Sequence, residues 1–94
     1  MDPELLILTS LAGGPKHGYA IMADVESMAG VRLGPGTLYG AIPRLEQAGL
    51  IEAIESKDRR RPYRLTGPGT EALRGRLGSM RDLSVTGLGR LEAT

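Results

Sequence analysis

Apolar residues recur at helical spacing through the first half of the chain. Leu5, Leu8 and Leu11/Ala12 follow Pro3, which suits a first helical turn, and Gly13-Gly14-Pro15 ends the pattern. From Gly18 onward, Ile21, Val25 and Met28 share one face with Asp24 and Glu26 outside it, which predicts a second helix over 18–29. Val31-Arg32-Leu33 reads as a short extended piece. Gly34-Pro35-Gly36-Thr37 then turns the chain into a third helix over 35–48. Its inner face is Leu38, Ala41/Ile42, Leu45 and Ala48, and Gly49 is its stop. Its outer face, with Thr37, Gly40, Arg44 and Gln47, is small or polar. Pro43 falls inside this helix and removes the hydrogen bond to the Tyr39 carbonyl. An interior proline costs ~3 kcal/mol, so a kink or a locally widened turn is expected over residues 39–43.

The period changes after Gly49. Residues 50–56 are short, isoleucine-rich and bounded by polar residues, and 62–66 alternate Tyr63 and Leu65 against Arg64. Two strands are predicted, joined by Lys57-Asp58-Arg59-Arg60-Arg61, so the hairpin has a basic tip. Thr66 is a good N-cap for a last helix with Pro68 in its first turn. Leu73, Leu77 and Met80 follow a heptad seam that breaks at Ser84 and Gly87. A helix to about Leu83 is expected, followed by a frayed or separately folded tail containing Leu88 and Leu91.

The fold class is therefore mostly α with a small β-hairpin. Residues 1–66 form a winged helix-turn-helix, with the recognition helix at 35–48 and the wing at 50–66. Residues 67–94 form a C-terminal dimerisation helix and tail. In such a fold the third helix enters a major groove of double-stranded DNA and the hairpin tip lies against the backbone. Small outward residues allow close approach to the groove, and Lys57, Arg59, Arg60 and Arg61 supply cations for phosphates.

Composition narrows the alternatives. Ninety-four residues make one small domain whose modest core favours oligomerisation. The formal charge is only +1, but residues 1–50 carry −2, residues 51–66 carry +2 and residues 67–94 carry +1. The chain has no cysteine and one histidine, His17, which excludes thiolate and histidine-cluster metal sites, and no cofactor is implied. No apolar run approaches a membrane span and no cleavable leader is evident, so no membrane partner is expected and the cytoplasm is the expected compartment. All three aromatic residues are tyrosines, too few for a single-strand stacking platform. The serines have only His17 for a base, and Gly34-Pro35-Gly36 is no phosphate loop, so an enzyme is not expected.

Several local strings resemble the PadR family of bacterial transcriptional regulators. They are His17-Gly18-Tyr19-Ala20-Ile21, Leu33-Gly34-Pro35-Gly36-Thr37-Leu38-Tyr39, Arg44-Leu45-Glu46 with Gly49-Leu50-Ile51, and Arg61-Pro62-Tyr63-Arg64-Leu65-Thr66 with Gly69. Their succession, more than any one string, is specific. The resemblance implies a homodimeric repressor on a palindromic operator, often released by a small-molecule effector. Matched position by position, it implies that Thr37 and Tyr39 touch phosphates and base edges, with His17 and Tyr19 near the backbone. It also matches Arg59–Arg61 to a basic wing, with Tyr63 anchoring the hairpin. Gly40 departs from the proline many relatives have there, and the short C-terminus resembles the short subfamily with one dimerisation helix. The lack of Trp and Phe does not suit an aromatic effector pocket.

The candidate DNA-binding residues are thus His17, Tyr19, Thr37, Tyr39, Gly40, Arg44, Lys57, Arg59, Arg60, Arg61 and Arg64. Specificity is expected from Thr37, Tyr39, Gly40 and Arg44. His17 reads equally as an exposed turn residue, and the tyrosines taken singly read as ordinary packing. Leu73, Leu77 and Met80, helped by Leu5 and Leu8, are the candidate dimer contacts. The rival from another class is a winged helix whose basic hairpin docks an acidic protein partner.

Overall fold

The computed structural model describes residues 2–57 and 59–93, so Asp58 of the basic run lies outside the described residues. Its elements are α1 (Pro3–Ala12), β1 (Lys16–His17), α2 (Gly18–Ala29), α3 (Pro35–Gln47), β2 (Ile51–Ala53), β3 (Pro62–Leu65) and α4 (Gly67–Glu92). The predicted order holds, with one added strand. Because β1 pairs antiparallel with β3, the expected hairpin is a three-stranded sheet in the order β1-β3-β2. A strand of two residues has no period to detect.

α1 lies at the centre, packed against α2, α3, β3 and α4. Leu5, Leu6, Ile7, Leu8 and Leu11 are all buried, so no one-sided stripe exists. Leu5 and Leu8 belong to this chain's own core and present no surface to a second copy, which corrects the expectation that they help a dimer seam. Leu73 joins the same core from α4. At the margins, Met28 and Ala48 are exposed where inner positions were expected. Met28 falls on the last turn of α2, and Ala48 is the cap just beyond the end of α3.

Ser10 is the one buried polar residue among those described, and it is satisfied: its hydroxyl donates to Asp24 Oδ2 at 2.6 Å. Lys16 turns inward, its Nζ donating to the Ser10 carbonyl at 2.6 Å and the Gly14 carbonyl at 3.2 Å. These contacts fix the connection from α1 through β1 into α2.

α3 is α-helical from Pro35 to Gln47, so of the two forms expected around Pro43, a kink or a locally widened turn, the widened turn is absent. Pro43 and Tyr39 are both exposed, and on the solvent side of a helix a missing i to i−4 hydrogen bond costs less than it would in the core. Gly49 ends the helix with φ +75°, and the Leu50 N–H closes back on the Leu45 carbonyl at 3.0 Å.

α4 starts at Thr66, whose hydroxyl accepts from the Gly69 N–H at 3.0 Å and donates to the Gly49 carbonyl at 2.6 Å. Gly69 is pressed against the Leu50 backbone, and a Cβ there would meet the Leu50 carbonyl. The helix then continues to Glu92, which corrects the expected end near Leu83 and the separate tail. The loss of seam residues at Ser84 and Gly87 reports that the helix leaves the body, not that it unwinds. Twenty-six residues reach about 39 Å at the helical rise, which accounts for much of the 57 Å long dimension.

Candidate nucleic-acid interface

His17 caps α2, its Nδ1 accepting from the Ala20 N–H at 3.4 Å. As part of β1 it also stands opposite Pro62, and Lys16 stands opposite Tyr63. That pairing sets the N-terminus of α2 beside the base of the wing. Tyr39 of α3 reaches the same place: a Cβ at the buried Gly18 would lie 2.8 Å from Tyr39 Cζ. Only glycine lets the ring lie so close to the start of α2.

A cleft of about 480 Å³ opens between these elements, lined by His17, Gly18, Tyr19, Tyr39, Arg59, Arg60, Arg61 and Tyr63. It therefore unites six of the residues singled out from sequence: His17, Tyr19, Tyr39, Arg59, Arg60 and Arg61. Tyr19 is 71% exposed and Tyr39 53%, so both side chains present surface to an incoming group. Tyr63 is half-buried and packs on the core as the hairpin anchor. Burial, then the Glu46 charge, raise its pKa above the usual 10.0, keeping a neutral hydroxyl.

The remaining candidates lie elsewhere. Thr37, Gly40 and Arg44 follow one another along the exposed side of α3 outside the cleft, and Gly36 and Gln47 are exposed with them. Arg44 is engaged by Glu4 of α1 at 3.1 Å. Lys57 lines a separate concavity inside the wing loop, with Ala53 to Ser56, Arg59 and Arg61. Arg64 is held across the hairpin by Glu52 at 2.8 Å, its cross-strand partner. Its cation is therefore shared with a carboxylate and less available to phosphate than those of the tip.

Sequence reasoning left Gly18 out of the site and gave Tyr63 only an anchoring role. The signal for Gly18 was weak because its constraint comes from Tyr39, far along the chain. It also placed Leu88 and Leu91 in a separate tail, whereas they lie on α4 and are exposed there with Leu83 and Val85. Leu88 and Leu91 continue the face of Leu77 (39% exposed) and Met80 (46%), which leaves α4 with an uncovered apolar side flanked by Leu83 and Val85. Beside it, Ala12, Leu65, Thr70, Leu73, Arg74, Leu77, Gly78 and Arg81 border a groove of about 560 Å³.

Among the described residues, no group of His, Cys, Asp or Glu could hold a metal ion, and no helix is long and apolar enough to cross a membrane.

Three helices, a basic wing and an extra C-terminal helix define a winged helix-turn-helix. The chain belongs to the PadR-like family of transcriptional regulators, whose model matches residues 7–75. A crystal structure of a PadR family transcription regulator from Clostridium difficile shares the fold with a TM-score of 0.83 at 27% identity, covering 94% of this chain and 96% of that one. In sequence, the chain is 51% identical over 83 residues to an uncharacterized 37.1 kDa protein in transposon TN4556 of Streptomyces fradiae, covering 88% of this chain and 24% of that protein. It is 35% identical over 65 residues to the transcriptional activator GvpE2 of Halobacterium salinarum, covering 69% of this chain and 33% of that protein. The chain thus spans between about a quarter and a third of the length of these curated relatives.

Proposed function

We propose that the chain is a DNA-binding transcriptional regulator, acting as a homodimeric repressor on a palindromic operator. In this reading α3 enters the major groove and the cleft between wing and α2 grips the adjacent backbone. The observation that supports it best is the convergence of His17, Tyr19, Tyr39 and three consecutive arginines on that cleft. Arginine is suited to phosphate by its planar fork, and the tyrosine hydroxyls add neutral donors at the same place.

The outer side of α3 supports groove entry. Gly36, Thr37, Gly40 and Gln47 are exposed and either small or hydrogen-bonding, which a protein partner seeking apolar burial does not need. The uncovered apolar side of α4 supports the homodimer, since large exposed apolar patches mark interaction surfaces.

The test is fluorescence anisotropy of the purified protein with duplexes enriched from a randomised pool, and with a scrambled duplex, across a salt series. Tighter, salt-steep binding to the enriched duplex is expected. Weak and equal binding to both would move the reading to an acidic protein partner for the wing. A reporter assay reads the sign of regulation, with derepression on deletion expected.

A further inference from the structure

An acidic residue on α1 reaches the exposed side of α3. Arg44 lies two turns beyond Thr37, and its guanidinium is held at two points. Nε donates to Glu4 Oε1 at 3.1 Å, and Nη1 donates to the Gly40 carbonyl at 2.9 Å. Glu4 is itself fixed in the first turn of α1, its N–H donated to the capping carboxylate of Asp2 at 2.9 Å. Asp2 is in turn ion-paired with Arg76 of α4. The start of α1 thus links α4 to α3 through two ion pairs joined by one backbone hydrogen bond.

We propose that Glu4 is the positioning residue for Arg44, fixing its guanidinium so that the free end is presented to a base edge. The proposal rests on the DNA-binding reading above. With Nε and one N–H of Nη1 engaged, three N–H groups remain, one on Nη1 and two on Nη2, from which one of each can form a parallel pair. That parallel pair is the arrangement that meets O6 and N7 of guanine. An arginine already immobilised loses less rotamer freedom when it binds, so the ordering raises discrimination without any additional base interaction. Arg44 is the only basic residue of α3, so no other cation on that helix substitutes for it. The pair is well exposed, at 63% and 35% of the two side chains, and exposed pairs contribute little to folding. Its removal therefore leaves the fold intact.

The experiment compares the full chain with Glu4→Met, Glu4→Gln, Arg44→Lys and the Glu4→Met/Arg44→Lys double variant. Each is titrated by anisotropy against a duplex enriched from a randomised pool by the unsubstituted protein, and against a scrambled duplex of equal length. Methionine matches the length of glutamate but accepts no such bond; glutamine keeps the acceptor. Glu4→Met is expected to lower the ratio of enriched to scrambled affinity about two- to tenfold, the scale of ordering one long side chain. Binding to the scrambled duplex and the thermal midpoint stay as in the unsubstituted protein. Glu4→Gln retains most of the ratio, and the double variant loses no more than Arg44→Lys alone. An unchanged ratio in Glu4→Met, additive losses in the double variant, or equal weakening of both duplexes would each overturn the proposal. If the unsubstituted protein enriches no sequence, the DNA-binding reading fails first and the proposal falls with it.

Discussion

Tyr39 lies across the backbone of Gly18, so close that a Cβ at Gly18 would stand 2.8 Å from its ring carbon Cζ. The contact joins the start of α3 to the start of α2 and forms one wall of the cleft. Replacing Gly18 by alanine displaces the Tyr39 ring, which is free to swing because it is half-exposed. The expected loss is about 1 kcal/mol of duplex affinity, the worth of one hydrogen bond, with a much smaller change in thermal midpoint. Anisotropy and thermal unfolding on the same preparation check it; a large fall in midpoint with unchanged affinity would contradict it.

In the proposed function the wing arginines act through charge. Arg60→Ala/Arg61→Ala should weaken enriched and scrambled duplexes alike and flatten the plot of log affinity against log salt by about 0.9 for each phosphate no longer neutralised. An unchanged slope would remove the wing from the interface. Arg64→Ala should alter the slope less, because Glu52 already faces that guanidinium at 2.8 Å.

Two glycines of α4 should respond in opposite directions to alanine. Gly75 has open space where a Cβ would stand, so Gly75→Ala should stabilise the helix by about 1 kcal/mol through propensity alone. At Gly69 a Cβ meets the Leu50 carbonyl, backbone that cannot swing aside. Gly69→Ala should therefore lower stability by about 1–3 kcal/mol, the usual range for overpacking. Chemical denaturation of both variants measures the contrast.

The uncovered side of α4 gives a test of assembly. Leu77, Met80, Leu88 and Leu91 are spaced for one helical face and are exposed. Leu88→Asp should shift the protein from dimer to monomer in analytical ultracentrifugation while leaving the winged-helix body folded. A monomer before substitution would refute the homodimer, and a dimer after it would place the assembly surface elsewhere.

Acid should loosen the link at the start of α1. The Arg76 guanidinium holds the Asp2 carboxyl below its usual value of 3.8, aided by the N–H of Glu4. A carboxylate depressed by folding stabilises the native state above the unfolded-state pKa, and that contribution is lost as pH falls through the lower folded value. The stability gap between the unsubstituted protein and Asp2→Asn should thus be constant above about pH 5 and close below about pH 4. Solvent screening at this exposed pair limits the gap to under about 1 kcal/mol. Urea titrations at several pH values would reveal it, and a gap that widens on acidification would refute the assignment.

Most of the helices and both wing strands were legible in the sequence because their cues are local. Pro3, Pro35 and Thr66 mark helix starts, Gly30 and Gly49 mark ends, and the change of period after Gly49 marks the sheet. The arginines of the wing were likewise visible as a run. What was misjudged depended on distant neighbours. α1 reads as amphipathic, yet it is enclosed by α2, α3, α4 and β3, so Leu5 and Leu8 belong to the interior. The apolar seam of α4 ends near Met80 while the helix runs on to Glu92, because burial and helicity are separate properties.

The sequence alone therefore determined the order of the elements, the small polar outer side of α3 and the charge of the wing tip. Each depends on residues within a few positions of one another, where backbone preference and side-chain periodicity act directly. Only the tertiary structure decided that β1 joins the sheet, that Gly18 yields space to Tyr39, and that Glu4 holds Arg44. Those pairs are separated by tens of residues, and nothing local prefers them. They form because packing the helices around α1 brings their backbones together, and close packing then admits only side chains that fit.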